Sequence, residues 1–176
     1  IKQLKAAELD MAIMSLPHKE EGLLEIPLYN EKMLAYVSPK DPLYRRKSIN
    51  STTMPRQNLW ELKNEISFQK QISEFCDMDS QRSSRYESGS VATLLNLVNE
   101  NSGFTVIPEL HVPMLRKEHL CNLRPLVKPV PTREVSLFVR EDYVREGLIN
   151  IVVKGIKEII PLSMLNERII KYAVRL

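Results

Sequence analysis

Residues Glu87–Pro108 read ESGSVATLLNLVNENSGFTVIP, and this stretch decides the fold class. Val91, Leu94, Leu95 and Val98 fall at i, i+3, i+4 and i+7, which predicts an amphipathic helix with the hydroxyl-rich turn Ser88-Gly89-Ser90 at its N-cap. Ser102-Gly103 stops that helix, and the apolar run Phe104-Thr105-Val106-Ile107 follows as a predicted buried strand ended by Pro108. A helix, a glycine turn, a strand and a proline within about twenty residues form the unit from which α/β folds are assembled. The N–H groups of a helix opened by hydroxyls can also hold an anion or a polar ligand, and a plain αβ element explains the same residues equally well.

Working outward, Ile1 to Glu8 reads as a helix end that runs into Asp10–Leu16, a short apolar run suited to a buried strand. A helix end feeding a core strand predicts a further strand and helix ahead of Ile1, so the first lobe is expected to be truncated. Leu23–Leu28 and Lys32–Ser38 predict two strands with a brief connection, closed by the turn Pro39-Lys40-Asp41-Pro42. Arg45–Arg56 is polar and predicts a surface loop, and Leu59–Leu62 a strand. Phe68, Ile72 and Phe75 at helical spacing predict a helix that Cys76 closes. Val135–Val139 predicts a strand and Leu148–Ile160 a long apolar helix, in a fold whose sheets are expected to be largely parallel.

Composition narrows the function classes. With 43% hydrophobic residues over 176 positions the chain can bury a core, while 25 basic against 22 acidic groups leave a net charge of +3, too small and too dispersed to point by itself to nucleic-acid binding. Any DNA contact would belong to another segment. No run of about eighteen apolar residues predicts a membrane span, and the charged Ile1–Asp10 is not a signal peptide, so a soluble cytoplasmic protein is expected. Two cysteines, Cys76 and Cys121, are too few for a secreted disulfide scaffold. Five glycines and the absence of nucleophile-elbow, phosphate-loop and dinucleotide motifs argue against an enzyme. His18, His111 and His119 lie in separate segments expected to be exposed, the Glu20-Glu21 pair in a solvated loop, and neither metal nor cofactor is expected.

Several stretches resemble the effector-binding domains of LysR-type transcription regulators. The helix–turn–strand unit of Glu87–Pro108 is similar to that family's second lobe, Leu9–Ile13 to its L-D-x-x-I strand, and Glu25–Glu31 to its PL-x-x-E crossing into that lobe. Pro39–Leu43 resembles the turn that follows. The similarity is greatest to the hydrogen-peroxide-sensing branch, through Ser102–Leu110, Leu126–Pro129, Arg133 ahead of Val135, and Cys76. It implies an α/β fold of two Rossmann-like lobes joined by crossover strands, like a periplasmic binding protein. Lobe I would comprise residues 1–31 plus 136–176, and lobe II residues 32–135, carrying a redox-switch segment at 62–76.

The resemblance also implies a mechanism and a departure from it. In the peroxide-sensing branch a peroxide-reactive cysteine precedes a resolving cysteine by nine residues; counting back from Cys76 gives Ser67. A serine hydroxyl cannot become a sulfenic acid, so the switch would be locked in its reduced form. Either the natural residue is cysteine and the serine silences it, the favoured reading, or the chain has lost peroxide sensing. Ile66 and Lys70 stand where that branch commonly has histidine and aspartate. Thr105 and Arg133, with Ser67, are the implied pocket, and Cys121 a bystander. The implied partners are a second copy, as a homodimer or tetramer in which the Val91–Val98 helix is a candidate contact, promoter DNA through an N-terminal winged helix-turn-helix, and RNA polymerase. Three other readings stand: a LysR-type domain binding a small anionic metabolite between its lobes, a periplasmic solute-binding protein, and an α/β enzyme.

Overall fold

The computed structural model describes residues 1–15, 19–55, 58–62, 84–86 and 90–165. The predicted Phe68–Phe75 helix, Ser67, Cys76 and His18 lie outside the described residues. Within them the chain forms helices α1 (Lys2–Lys5), α2 (Val91–Glu100) and α3 (Glu146–Ile159). Its strands are β1 (Met11–Met14), β2 (Leu23–Val37), β3 (Ile49–Asn50), β4 (Trp60–Leu62), β5 (Ser84–Tyr86), β6 (Phe104–Pro108), β7 (Leu123–Val127) and β8 (Thr132–Arg140). They divide into two compact units, Ile1–Glu31 with Arg133–Leu176, and Lys32–Thr132.

In the first unit β8 runs antiparallel to β1, with Met11 opposite Val139 and Met14 opposite Ser136, and neighbours β2 on its other side. Side chains alternate across a strand, so Leu137 and Val139 join Leu28 beneath α3, against Ile149, Val152, Val153 and Ile156. Phe138, between them, points the other way and packs with Leu4 of α1 and Leu23. The sheet thus carries a helix on each face.

In the second unit the far half of β2 sits between β6 and β7, antiparallel to both, with Val37 opposite Phe104 and Tyr36 opposite Leu123. The same alternation sends Met33, Ala35 and Val37 to a core shared with Ile49, Leu59, Phe104, Val106 and Leu126. Tyr36 turns to the face covered by α2, where it meets Leu95, Val98 and Ile107. Ser90 caps α2 as its spacing predicts, its Oγ accepting from Thr93 N at 3.4 Å.

Three expectations need correction. Leu23–Leu28 and Lys32–Ser38 are not two strands but one, because the fixed φ of Pro27 is compatible with extended backbone and Asn30–Lys32 stay extended. The long strands pair antiparallel, not parallel; the short pairs β3 with β7 and β4 with β5, and a single bridge between Leu59 and Phe104, run parallel. Arg45–Arg56 is not wholly a surface loop. Ile49, Ser51 and Met54 are buried, since Ile49 pairs with Leu126 and Ser51 Oγ bonds the carbonyls of Val127 and Pro129 at 3.2 and 2.8 Å.

The turn between α2 and β6 depends on Gly103. Its φ is +114°, and a Cβ there would lie 2.4 Å from the Asn58 carbonyl oxygen and 2.8 Å from Trp60 Nε1. Gly103→Ala is therefore expected to destabilise the chain by about 3 kcal/mol, from backbone strain together with a clash against main chain. Urea denaturation of the variant should show a lowered midpoint at unchanged slope, and an unchanged midpoint would contradict this account of the turn.

Candidate functional site

The first unit buries a charge pair where β2 leaves it and β8 enters it. Arg133 Nε donates to Glu31 Oε1 at 2.6 Å, and the Glu31 side chain is 1% exposed against 23% for Arg133. A carboxylate so enclosed is costly unless a cation stands beside it. Tyr29, two residues earlier and hence on the same face of β2, responds to the pair. Burial raises its phenol above the usual value of 10.0, the Glu31 carboxylate raises it further, and Arg133 partly opposes both. Deeper in the unit, Ser136 Oγ donates to Glu25 Oε1 at 2.9 Å.

Thr105 lies in the second unit, 2% exposed on β6 and opposite Tyr36. Its Oγ1 donates to the Trp60 carbonyl at 2.8 Å, and Trp60 Nε1 donates to the Ser102 carbonyl at 3.0 Å. These bonds tie β4 to β6 and to the turn before it. A polar cluster lies beneath the end of α2. Tyr36 Oη donates to Asn99 Oδ1 at 2.9 Å and accepts from Asn122 Nδ2 at 3.1 Å. His119 meets Asn99 at 3.5 Å and presents its ring edge-on to Tyr36, centroids 6.1 Å apart. His119, expected to be exposed, is therefore partly buried, because the 3-10 turn Lys117–Asn122 folds it onto Tyr36.

Of the residues singled out from sequence, Thr105 and Arg133 are engaged within different units, and Ser67 and Cys76 lie outside the described residues. Cys121 is exposed, its thiol donating to the Glu118 carbonyl at 3.1 Å. The partners that sequence reasoning missed are Glu31 and Trp60. Glu31 had a signal, as the acid of the crossing motif facing a chain that returns through Arg133. Among the described residues no cluster of His, Cys, Asp or Glu could hold a metal ion, and no helix is long and apolar enough to cross a membrane.

Residues 1–156 match the LysR substrate binding domain. The chain belongs to this family. Among its relatives, the DNA-binding transcriptional dual regulator OxyR of Escherichia coli (strain K12) is 29% identical over 141 residues, 80% of this chain and 46% of that protein. The hydrogen peroxide-inducible genes activator of Dickeya chrysanthemi is 27% identical over 166 residues, 93% of this chain and 54% of that protein. The chain thus spans about half the length of these curated relatives. The crystal structure of OxyR from Porphyromonas gingivalis superimposes with a TM-score of 0.83 at 34% identity, covering 94% of this chain and 76% of that one. The reduced OxyR regulatory domain from Pseudomonas aeruginosa gives 0.78 at 26%, covering 89% and 76%. The LysR-type domain described here accordingly has the α/β fold of two Rossmann-like lobes joined by crossing strands, like a periplasmic binding protein.

The charge pair gives a test. Arg133→Met should cost about 2–4 kcal/mol by leaving the Glu31 carboxylate buried without that cation, and Glu31→Gln in the same chain should recover most of the loss. Because the folded phenol of Tyr29 lies above its unfolded value of 10.0, its contribution to stability is complete below pH 10 and is lost as pH rises through the folded value. Glu31→Gln should lower that folded value and Arg133→Met raise it. Difference absorbance titrations against Tyr29→Phe read both shifts; movement in the same direction would mean that the pair does not set the field at Tyr29.

Proposed function

We propose that this LysR-type domain is the regulatory part of an OxyR-like transcription regulator whose peroxide switch is held in its reduced form by Ser67. The observation that carries the reading is the likeness to OxyR from Porphyromonas gingivalis over 94% of the chain, joined to the position of Ser67 nine residues before Cys76. In such a switch a thiolate attacks hydrogen peroxide, becoming a sulfenic acid as hydroxide leaves. A second thiol then displaces water to form the disulfide. Cys76 is the resolving thiol in this reading and Ser67 the silent position, both within the segment 62–76 of a second lobe spanning residues 32–135. Residues 1–31 and 136–176 form the first lobe.

Thr105 and Arg133 complete the proposed pocket. The Glu31 carboxylate, 2.6 Å from Arg133 Nε, offsets much of the positive charge that would lower the pKa of a thiol there, which fits a silent switch. The domain would act by changing its packing and not by turnover, in the cytoplasm, as a homodimer or tetramer. A winged helix-turn-helix elsewhere in the protein would hold promoter DNA and present the regulator to RNA polymerase. Serine at position 67 also favours one second reading, a domain that takes a small anionic metabolite in place of peroxide.

The test is Ser67→Cys followed by a modest excess of peroxide, with disulfides mapped by mass spectrometry. A bond between the introduced thiol and Cys76 is expected, with no peroxide response in the unaltered chain. If the thiols oxidise slowly and never pair, the metabolite reading replaces this one, and small carboxylates should then raise the melting temperature.

A further inference from the structure

Arg45-Arg46-Lys47 is the one run of three consecutive cations in the chain. It follows the 3-10 turn Pro42–Arg45 and leads into β3, and all three side chains are exposed. The fold sets a fourth cation beside it from 80 residues away: Arg124 of β7 donates from Nη2 to the Tyr44 carbonyl at 2.5 Å and lies over the Tyr44 ring, 4.6 Å from its centroid. Past the other end of the run, Ile49 pairs with Leu126 of the same strand. Arg124 Nη1 also donates to the carbonyls of Cys121 and Leu123, at 2.6 and 2.7 Å, so its guanidinium is fixed in place. Carbonyls hold the group without cancelling its charge, and among the described residues no carboxylate pairs with any of the four cations. The imbalance extends to the whole second unit: residues 32–132 contain 14 of the 25 basic groups and only 10 of the 22 acidic ones.

We propose that this surface binds the phosphate backbone of duplex DNA, a contact independent of base sequence and made by the second unit itself. Guanidinium and ammonium groups are common partners of phosphate oxygens. The surroundings favour phosphate over a protein partner. From residue 25 to residue 113 no large hydrophobic side chain of the described residues is exposed. A protein partner would need an apolar or aromatic anchor at the centre of its contact, whereas an interface with nucleic acid is polar and positively charged. β3 is the edge of its sheet, where charge also discourages pairing between chains, but a single lysine serves that purpose. Four cations by themselves give a weak contact. It becomes effective when another part of the protein already holds the DNA, because a tether raises the local concentration to about the millimolar range; in that respect the inference rests on the regulator reading above. No peroxide chemistry enters it.

Fluorescence anisotropy of a labelled duplex of arbitrary sequence, titrated with the 176-residue chain at several salt concentrations, tests it. Binding with a Kd on the order of tens of micromolar is expected at low salt, and log K should fall against log salt with a slope of about −3. Lys47→Ala should reduce that slope by about one. Arg46→Glu with Lys47→Glu should weaken binding about tenfold or more, while Lys2→Glu with Lys154→Glu, an equal change of net charge at exposed positions of the first unit, should leave it within about twofold. Circular dichroism checks that the variants are folded. Three results would overturn the proposal: no binding at the lowest salt, equal losses from the two charge-reversed pairs, or displacement of the duplex by polyglutamate as effectively as by unlabelled duplex, which would assign the surface to an acidic protein segment. The peroxide reading is tested separately, since an unpaired thiol in Ser67→Cys leaves DNA binding as it is and a chain that binds no DNA leaves the disulfide test as it is.

Discussion

The fold depends on a constraint borne by one strand. β2 runs for 15 residues from the first unit into the second, and its side chains must satisfy a different core in each. Because the pleat alternates strictly, a slip of one residue would turn Leu28 away from α3, bring Tyr36 into the aliphatic core of Ala35 and Val37, and break the Tyr36 bonds to Asn99 and Asn122. Burial at both ends therefore fixes a single register. The pairing of Val37 with Phe104 and of Tyr36 with Leu123 follows from that register.

The middle of the same strand carries its one fully buried acid. A carboxylate that is 1% exposed is costly without a cation beside it, and Arg133 supplies one to Glu31 from the strand that returns. A backbone bond from Met33 N to the Pro131 carbonyl, 2.9 Å, holds the two segments a little further along. A buried ion pair adds little net stability compared with an apolar pair of the same shape, but it rejects any arrangement that separates its charges. At this place it acts less as glue than as a register mark for the two chain segments that join the units.

Local order was legible in the sequence, and partnership across the chain was not. The 3.6-residue period of Val91–Val98, the apolar run Phe104–Ile107 and the glycine between them correspond to α2, β6 and a turn at φ +114°. The run Val135–Val139 lies inside β8. What failed needed information from far away: Ile49 looked like part of a polar loop because its partner Leu126 lies 77 residues later, and His119 looked exposed because Tyr36 is remote in sequence. The site shows the same division. Family resemblance drew attention to Thr105 and Arg133, yet the groups that determine their chemistry, the Trp60 carbonyl and the Glu31 carboxylate, are separated from them by 45 and 102 residues.

That pairing bears on how a sensor could be built or unbuilt here. An arginine raises the thiolate fraction of a nearby cysteine only to the extent that its charge is not already balanced. With Glu31 held against its Nε, Arg133 has a carboxylate competing for the same field. On the reading proposed above, restoring a thiol at position 67 would restore the atom that reacts without the full charge of Arg133, and the sequence beside it offers an acid, Glu65, but no histidine. On the same reading, a fast peroxide response would require the Glu31–Arg133 pair to loosen as the thiolate forms. Loosening it would draw the Arg133 cation away from a carboxylate that is 1% exposed, so the cost of such a change would fall where β2 and β8 leave the first unit.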